Sequence, residues 1–323
     1  MFRATTLLVL LGSSVQGFSP SLLKSSPRHA RSTAVNVEAT EAAVSTGPSL
    51  ATKLGKQAQV DQLKASAPDG AMTETQLLRF AMAFDDMAEA KAAVASAAAW
   101  RKGEGKGIVD AAAAAVAKAT SGGGWDNGAV RDAAPHAAAL NEFITPKNIL
   151  TMAMDSGDLV YIIRASAIDD NKMMSKVSVK QVSDFFAYVK EVHSIVADAR
   201  SERLGRVCEV IFANDISGIR SPPNADFSKA LSSSSKQYEG LYPSLAGPTM
   251  ILNLPFVLQA FVSLFKPLFP KTVQARLKFE SAPFLAKLGE LTPLTTDAGK
   301  RKEFLDEVAA LLDDGFFATK SKM

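Results

Sequence analysis

One cysteine, Cys208, stands in the 323 residues, which excludes an intramolecular disulfide framework. It sits in an apolar run and reads as a small buried side chain. The three histidines, His29, His136 and His193, lie far apart with no spacing that resembles a metal site, and neither a metal nor another cofactor is expected. A net charge of +3 argues for neither a nucleic-acid binder nor an acidic protein. Gly122-Gly123-Gly124 lacks the following Lys-Ser or Lys-Thr pair of a phosphate loop and reads as a turn. The greasiest stretch, Pro255 to Phe269, holds eleven residues between Pro255 and Pro267, where a membrane-spanning helix needs ~20.

The amino terminus reads as an address. Arg3 precedes the apolar run Leu7 to Leu11, and Ser13, Ser14 and Gly17 follow, the layout of a secretory signal. From Phe18 to Val37 come Lys24, Arg28, Arg31, many serines and no acidic residue, the composition of an organelle transit peptide. This order, joined at Gly17-Phe18-Ser19-Pro20, resembles the bipartite plastid-targeting leader of algae whose plastids derive from a red alga; the plainer alternative is a secretory signal with a spacer. Thr40 to Ser49 reads as linker, and the folded protein is expected from Leu50.

From Leu50 to Leu150 the patterns predict small helices. Thr73 and Gln76 fit a capping box, after which Leu77, Phe80, Ala81 and Phe84 share a face. Met87 to Arg101 is rich in alanine, the best helix former. Beyond Leu150 strands alternate with helices. Asp158 to Ala165 reads as a strand after a Ser156-Gly157 turn. Val182, Phe185, Phe186, Val189, Val192 and Val196 keep the helical period. A strand is expected over Arg206 to Ala213, a helix over Ala225 to Tyr238, and strands over Thr249 to Leu254 and Leu277 to Glu280. Helices of this length between strands imply crossovers, and hence an α/β fold with a mostly parallel sheet. A charged helix from Lys300 to Leu312 would close it.

Pro255 to Phe269 is unusual in this setting. Its apolar residues Phe256, Leu258, Phe261, Val262, Phe265, Leu268 and Phe269 surround the whole circumference, whereas a surface helix has one apolar stripe. Plain core is one reading. The other is a lid over an apolar pocket that opens at a membrane surface, with basic Lys271, Arg276 and Lys278 following.

The series Leu77-Leu78-Arg79-Phe80, Trp100-Arg101, Gly157-Asp158-Leu159-Val160-Tyr161, Asp215-Ile216-Ser217-Gly218, Tyr242-Pro243, Asn253-Leu254-Pro255-Phe256, Lys266-Pro267 and Pro270-Lys271-Thr272 resembles, in order and spacing, the CRAL-TRIO family, which includes the phosphatidylinositol and phosphatidylcholine transfer protein of yeast. The resemblance covers Thr73 to Leu294. It implies a helical domain at 50–150, a lipid-binding α/β domain at 151–294 with a gate helix over a cavity floored by the sheet, and a C-terminal helix and tail at 295–323.

Lipid carriage needs an apolar slot, since each methylene kept from water is worth ~0.8 kcal/mol. Along the strands, Tyr161 and Ile163, Cys208, Val210 and Phe212, and Ile251 and Asn253 alternate as one face would, and each reads as pocket lining or as ordinary sheet core. Phe256, Leu258, Phe261, Phe265 and Leu268 form the expected gate. Lys266, Lys271, Arg276 and Lys278 face an anionic leaflet on this reading, each gaining ~1 kcal/mol there. The resemblance also shows departures. Where phosphatidylinositol-transferring members carry a Glu-Arg pair after Tyr-Pro, Ser244-Leu245 follows Tyr242-Pro243; Thr272 is kept, but Ala275 stands at the lysine position. The Ser and Thr that hold phosphocholine align with Val210 and Phe212. A buried headgroup without partners costs several kcal/mol, so neither headgroup is expected to bind in the familiar way.

An enzyme is the competing class. Asp169-Asp170 reads as a solvated turn, His193 as a structural helical histidine with no nucleophile assigned to it, and Asp215 with Gly218 as a strand-to-loop corner whose carboxylate caps backbone N–H groups. The expectation is a non-enzymatic plastid protein, soluble or peripheral to a membrane, that binds a lipid with a small headgroup or an isoprenoid and moves it between membranes. A lipid sensor that recruits a partner is the alternative.

Overall fold

Ser49 caps the first described helix by accepting from the Thr52 N–H. The computed structural model describes residues 47–68, 70–122, 125–146, 148–154, 156–215, 223–252, 277–280 and 291–292. The leader and linker through residue 46, the 255–269 stretch and the 300–312 segment lie outside them.

The helical part comprises α1 (Leu50–Lys53), α2 (Gln57–Lys64), α3 (Glu74–Ala83), α4 (Met87–Lys102), α5 (Lys106–Thr120), α6 (Asn127–Asp132) and α7 (Ala137–Leu140). The capping box at Thr73 forms as its spacing predicts: the Gln76 N–H donates to Thr73 Oγ1 while the Thr73 N–H donates to Gln76 Oε1. In α5 the alanine run turns Ala112, Ala115 and Ala119 inward, and these small side chains let the helix lie along the long α9 (Val179–Leu204).

The α/β part begins with β1 (Ile149–Met154) and β2 (Leu159–Arg164), then α8 (Asp170–Met174), α9, β3 (Val210–Asp215), α10 (Ala225–Leu241), β4 (Ala246–Leu252), β5 (Leu277–Glu280) and β6 (Leu291–Thr292). The sheet order is β5-β4-β3-β2-β1-β6, with β2 to β5 parallel and β1 antiparallel to both β2 and β6. The mostly parallel α/β sheet is thus as expected. β1 and β6 were not foreseen, and β1 straddles the expected boundary at residue 150. The third strand also starts four residues later than expected. Gly205 takes the left-handed conformation after α9, and Arg206 turns back to Asp158 and the Ser156 carbonyl instead of entering the ladder.

Both helical crossovers lie on one face of the sheet. On it, β2 presents Leu159, Tyr161 and Ile163 beside Val210, Phe212 and Asn214 of β3, and His193 of α9 and Tyr238 of α10 pack on these strands. On the other face Met152, Val160, Ile162, Ile211, Ala213 and Met250 are buried. It carries a buried ion pair, with Arg164 Nε donating to Asp215 Oδ2 at 3.1 Å. The Asp215 carboxylate, expected at a corner to cap backbone groups, joins β2 to β3 through Arg164, and the residues after it lie outside the described ones.

Two arginines of the helical part fix α9. Arg79 Nε donates to Asp198 at 2.7 Å, and its terminal nitrogens donate to the carbonyls of Ser244 and Cys208. Arg101 grips Glu191 with two hydrogen bonds, and the Tyr242 hydroxyl donates to the same carboxylate. Desolvated charges of this kind persist only when each is paired and hydrogen-bonded.

Candidate ligand-binding face of the sheet

The parallel register builds the site. Tyr161 sits level with Phe212, and Ile163 level with Asn214. On the far side of β3, Phe212 is level with Thr249 and Asn214 with Ile251. β5 continues the rows, Thr249 beside Leu277 and Ile251 beside Phe279. In open α/β sheets ligands bind outside the carboxyl ends of the strands, and burial changes in that direction here. Leu159 and Val210, at the amino ends, are fully enclosed, and Tyr161 nearly so. Ile163, Phe212 and Asn214, at the carboxyl ends, are only half-buried, although Ile162, Ala213 and Met250 of the opposite face are buried. Half-buried Val189 of α9 and Leu231 of α10 adjoin the same core cluster. Apolar side chains left partly open between a sheet and its covering helices form a surface that an apolar ligand can complete.

The closed inner end is aromatic. The Tyr161 ring meets His193 edge-on at 4.9 Å and Phe212 edge-on at 6.0 Å, and Phe212 meets Tyr238 edge-on at 5.7 Å. Such edge-to-face pairs add to the apolar burial. His193 Nε2 lies 2.8 Å from Thr151 Oγ1. Burial, and secondarily the neighbouring Lys190 ammonium, push the imidazole down to about 3, so it is neutral at pH 7. The Tyr161 hydroxyl is buried and makes no hydrogen bond among the described residues, and burial raises it above its ordinary value. Lys190 donates to the carbonyl and hydroxyl of Ser234 and stands 4.9 Å from the Tyr238 ring centre. Burial brings its ammonium down to about 7.

Of the residues expected to line a pocket, Ile163 and Phe212 are at the half-open end, whereas Tyr161 and Val210 belong to its closed inner part. Ile251 occupies the matching row of β4. Asn253 and Thr272 lie outside the described residues, as do Phe256, Leu258, Phe261, Phe265 and Leu268 of the gate and Lys266, Lys271 and Arg276. Lys278 is in β5, level with Met250 of the other row. Cys208 is buried ahead of β3. The competing catalytic candidates have structural partners. Asp169 caps α8 through the Lys172 N–H, Asp170 accepts from the Asn224 N–H, and His193 is held by Thr151.

Three polar residues of this face were not singled out in the sequence: Thr151, Asn214 and Thr249. Thr151 belongs to β1, a strand that was not foreseen, and Thr249 opened an expected strand without being assigned to this row. Asn214 precedes Asp215 in a dipeptide whose residue types are depleted in strands and favour turns, so the strand was expected to stop at Ala213.

Residues 147–293 match the family model of the CRAL/TRIO domain, a span that opens just before β1 and closes just after β6. The crystal structure of Sfh5 is similar over 71% of this chain and 77% of that one, at 11% identity and a TM-score of 0.39. No curated protein matches the sequence. The matched span holds the described sheet and both crossover helices, and the α/β part of this chain is accordingly a CRAL/TRIO domain.

Proposed function

We propose that the chain binds one hydrophobic ligand, a lipid or an isoprenoid, between the helix-side face of the sheet and its covering helices, and exchanges it at membrane surfaces. The observation that carries this reading is the contrast along one face: enclosed Leu159 and Val210 at one end, half-open Ile163 and Phe212 at the other, within a CRAL/TRIO domain. β4 ends at Leu252 at that same half-open end, three residues before Pro255. This supports Pro255 to Phe269 as the gate, with Phe256, Leu258, Phe261, Phe265 and Leu268 as its apolar surface. Lys266, Lys271, Arg276 and Lys278 then supply attraction to an anionic leaflet, each worth ~1 kcal/mol near the surface.

Transfer of a labelled lipid between donor and acceptor liposomes tests the function. A carrier accelerates exchange in substoichiometric amounts; binding without acceleration would instead make the protein a sensor. Mass spectrometry of an organic extract of the purified protein identifies what it carries. The Phe261→Asp, Phe265→Asp double variant is expected to lose liposome docking while keeping its melting temperature. Unchanged docking would remove the gate assignment. Residues 1–49 are proposed to direct the protein to the plastid, and a fluorescent fusion to that segment is expected to accumulate there.

A further inference from the structure

The helix-side face is mostly apolar, and the polar groups on its half-open end are uncharged. Asn214 lies between Ile163 of β2 and Ile251 of β4 in register. Its backbone is in the ladder, but its half-buried side-chain amide makes no hydrogen bond to any described residue. An amide in an apolar wall is costly unless its donors and acceptor are satisfied. One diagonal step inward on the neighbouring strand is Tyr161, whose enclosed hydroxyl also has no partner among the described residues. Beyond it the Thr151–His193 pair is satisfied internally. The buried ion pairs among the described residues either lie on the other face, as Arg164–Asp215 does, or join α9 to the helical part, as Arg79–Asp198 and Arg101–Glu191 do. Among the described residues on the ligand side, the Lys190 ammonium is taken up by Ser234, whereas the Asn214 amide at the opening and the Tyr161 hydroxyl behind it are neutral and without a side-chain partner. They suit one hydroxyl or carbonyl, and they offer no fixed charge to a phosphate.

Resting on the lipid-binding reading above, we propose that Asn214, with Tyr161 behind it, is the specificity-determining pair of the site, and that the ligand is an uncharged amphiphile whose single hydroxyl or carbonyl hydrogen-bonds there. Its apolar body then lies against Ile163 and Phe212.

The test uses the full chain and a matched set of probes, hexadecane, 1-hexadecanol and hexadecyl phosphate, in equilibrium binding. The native protein is expected to hold the alcohol about fivefold to tenfold more tightly than the alkane, the effect of one net hydrogen bond, and the phosphate least. Asn214→Leu, close to isosteric, should bring the alcohol-to-alkane ratio near one without weakening alkane binding. Tyr161→Phe should reduce that ratio by a smaller factor. An unchanged ratio in both variants overturns the pair, as does preference for the phosphate. If no probe binds at all, the lipid-binding reading itself falls and the pair with it. A ratio lost together with alkane binding, in variants whose melting temperature has dropped, marks a purely structural role and also overturns the proposal.

Discussion

At the scale of single residues, the buried charges dominate. Glu191 is fully enclosed and is held by Arg101 and Tyr242. Replacing Arg101 by Met leaves that carboxylate without its cation, and breaking a buried pair from one side costs about 3–5 kcal/mol; urea unfolding of Arg101→Met should show a loss of that size. His193 supplies a pH signature. Its folded value of about 3 lies below the unfolded 6.5, so between these pH values the unfolded chain binds the extra proton and stability falls as pH falls. Asp198, whose carboxyl burial raises against the pull of Arg79, acts in the opposite sense. Comparison with His193→Gln isolates the histidine: the variant should lose less stability between pH 6.5 and pH 4 in acid titrations followed by thermal unfolding. Little of this was legible. Arg79 and Arg101 stood out as motif residues, but Asp198 and Glu191 lie 119 and 90 positions away, and no local pattern links them.

Elements are set by local signals wherever the chain supplies caps and turns. The box at Thr73, the box Ser178–Gln181 that opens α9, and the left-handed Gly205 that ends it all follow from residue type. Gly157 is more demanding. Its φ is +97°, and a Cβ there would stand 2.2 Å from a Leu204 methyl and 2.8 Å from Cys208 Sγ. The Ser156-Gly157 turn thus packs against the end of α9 as well as launching β2. Gly157→Ala should cost about 1–3 kcal/mol from backbone strain alone, with the clash adding to it, read as a shift of the denaturant midpoint. A turn was expected at this position, but its contact with α9 was not, because that contact depends on where the helix ends in space. Strand ends were the least legible elements. Alternation identifies a strand's middle, whereas Asn214-Asp215 enters β3 only because β2 and β4 flank it and supply ladder partners.

Across the whole molecule, the helical and α/β parts are mechanically one. Arg79 and Arg101 reach from α3 and α4 into α9 and the approaches to β3 and β4. A chain beginning at residue 147 keeps Asp198 and Glu191 and loses both cations. The same cut removes the helices that cover this side of α9, so both carboxylates go to water and the apolar side chains packed against those helices, among them Phe185, Tyr188 and Val192, are bared with them; at ~25 cal/mol per Å² of apolar surface that loss rivals the whole stability of an ordinary domain, about 5–15 kcal/mol. Such a chain should show no cooperative unfolding transition by near-ultraviolet circular dichroism, while the full chain does.

The amino-acid sequence alone determined the capping box at Thr73, the alternation of strands and helices from β2 to β4, and the parallel class of the sheet, because each arises from propensities and periodicities within a few neighbours. Which face of the sheet is open, where Asn214 stands and which carboxylate each buried arginine meets were decided only in three dimensions. Those outcomes depend on register between distant strands and on the cost of leaving a charge or an amide unpaired once water has been excluded.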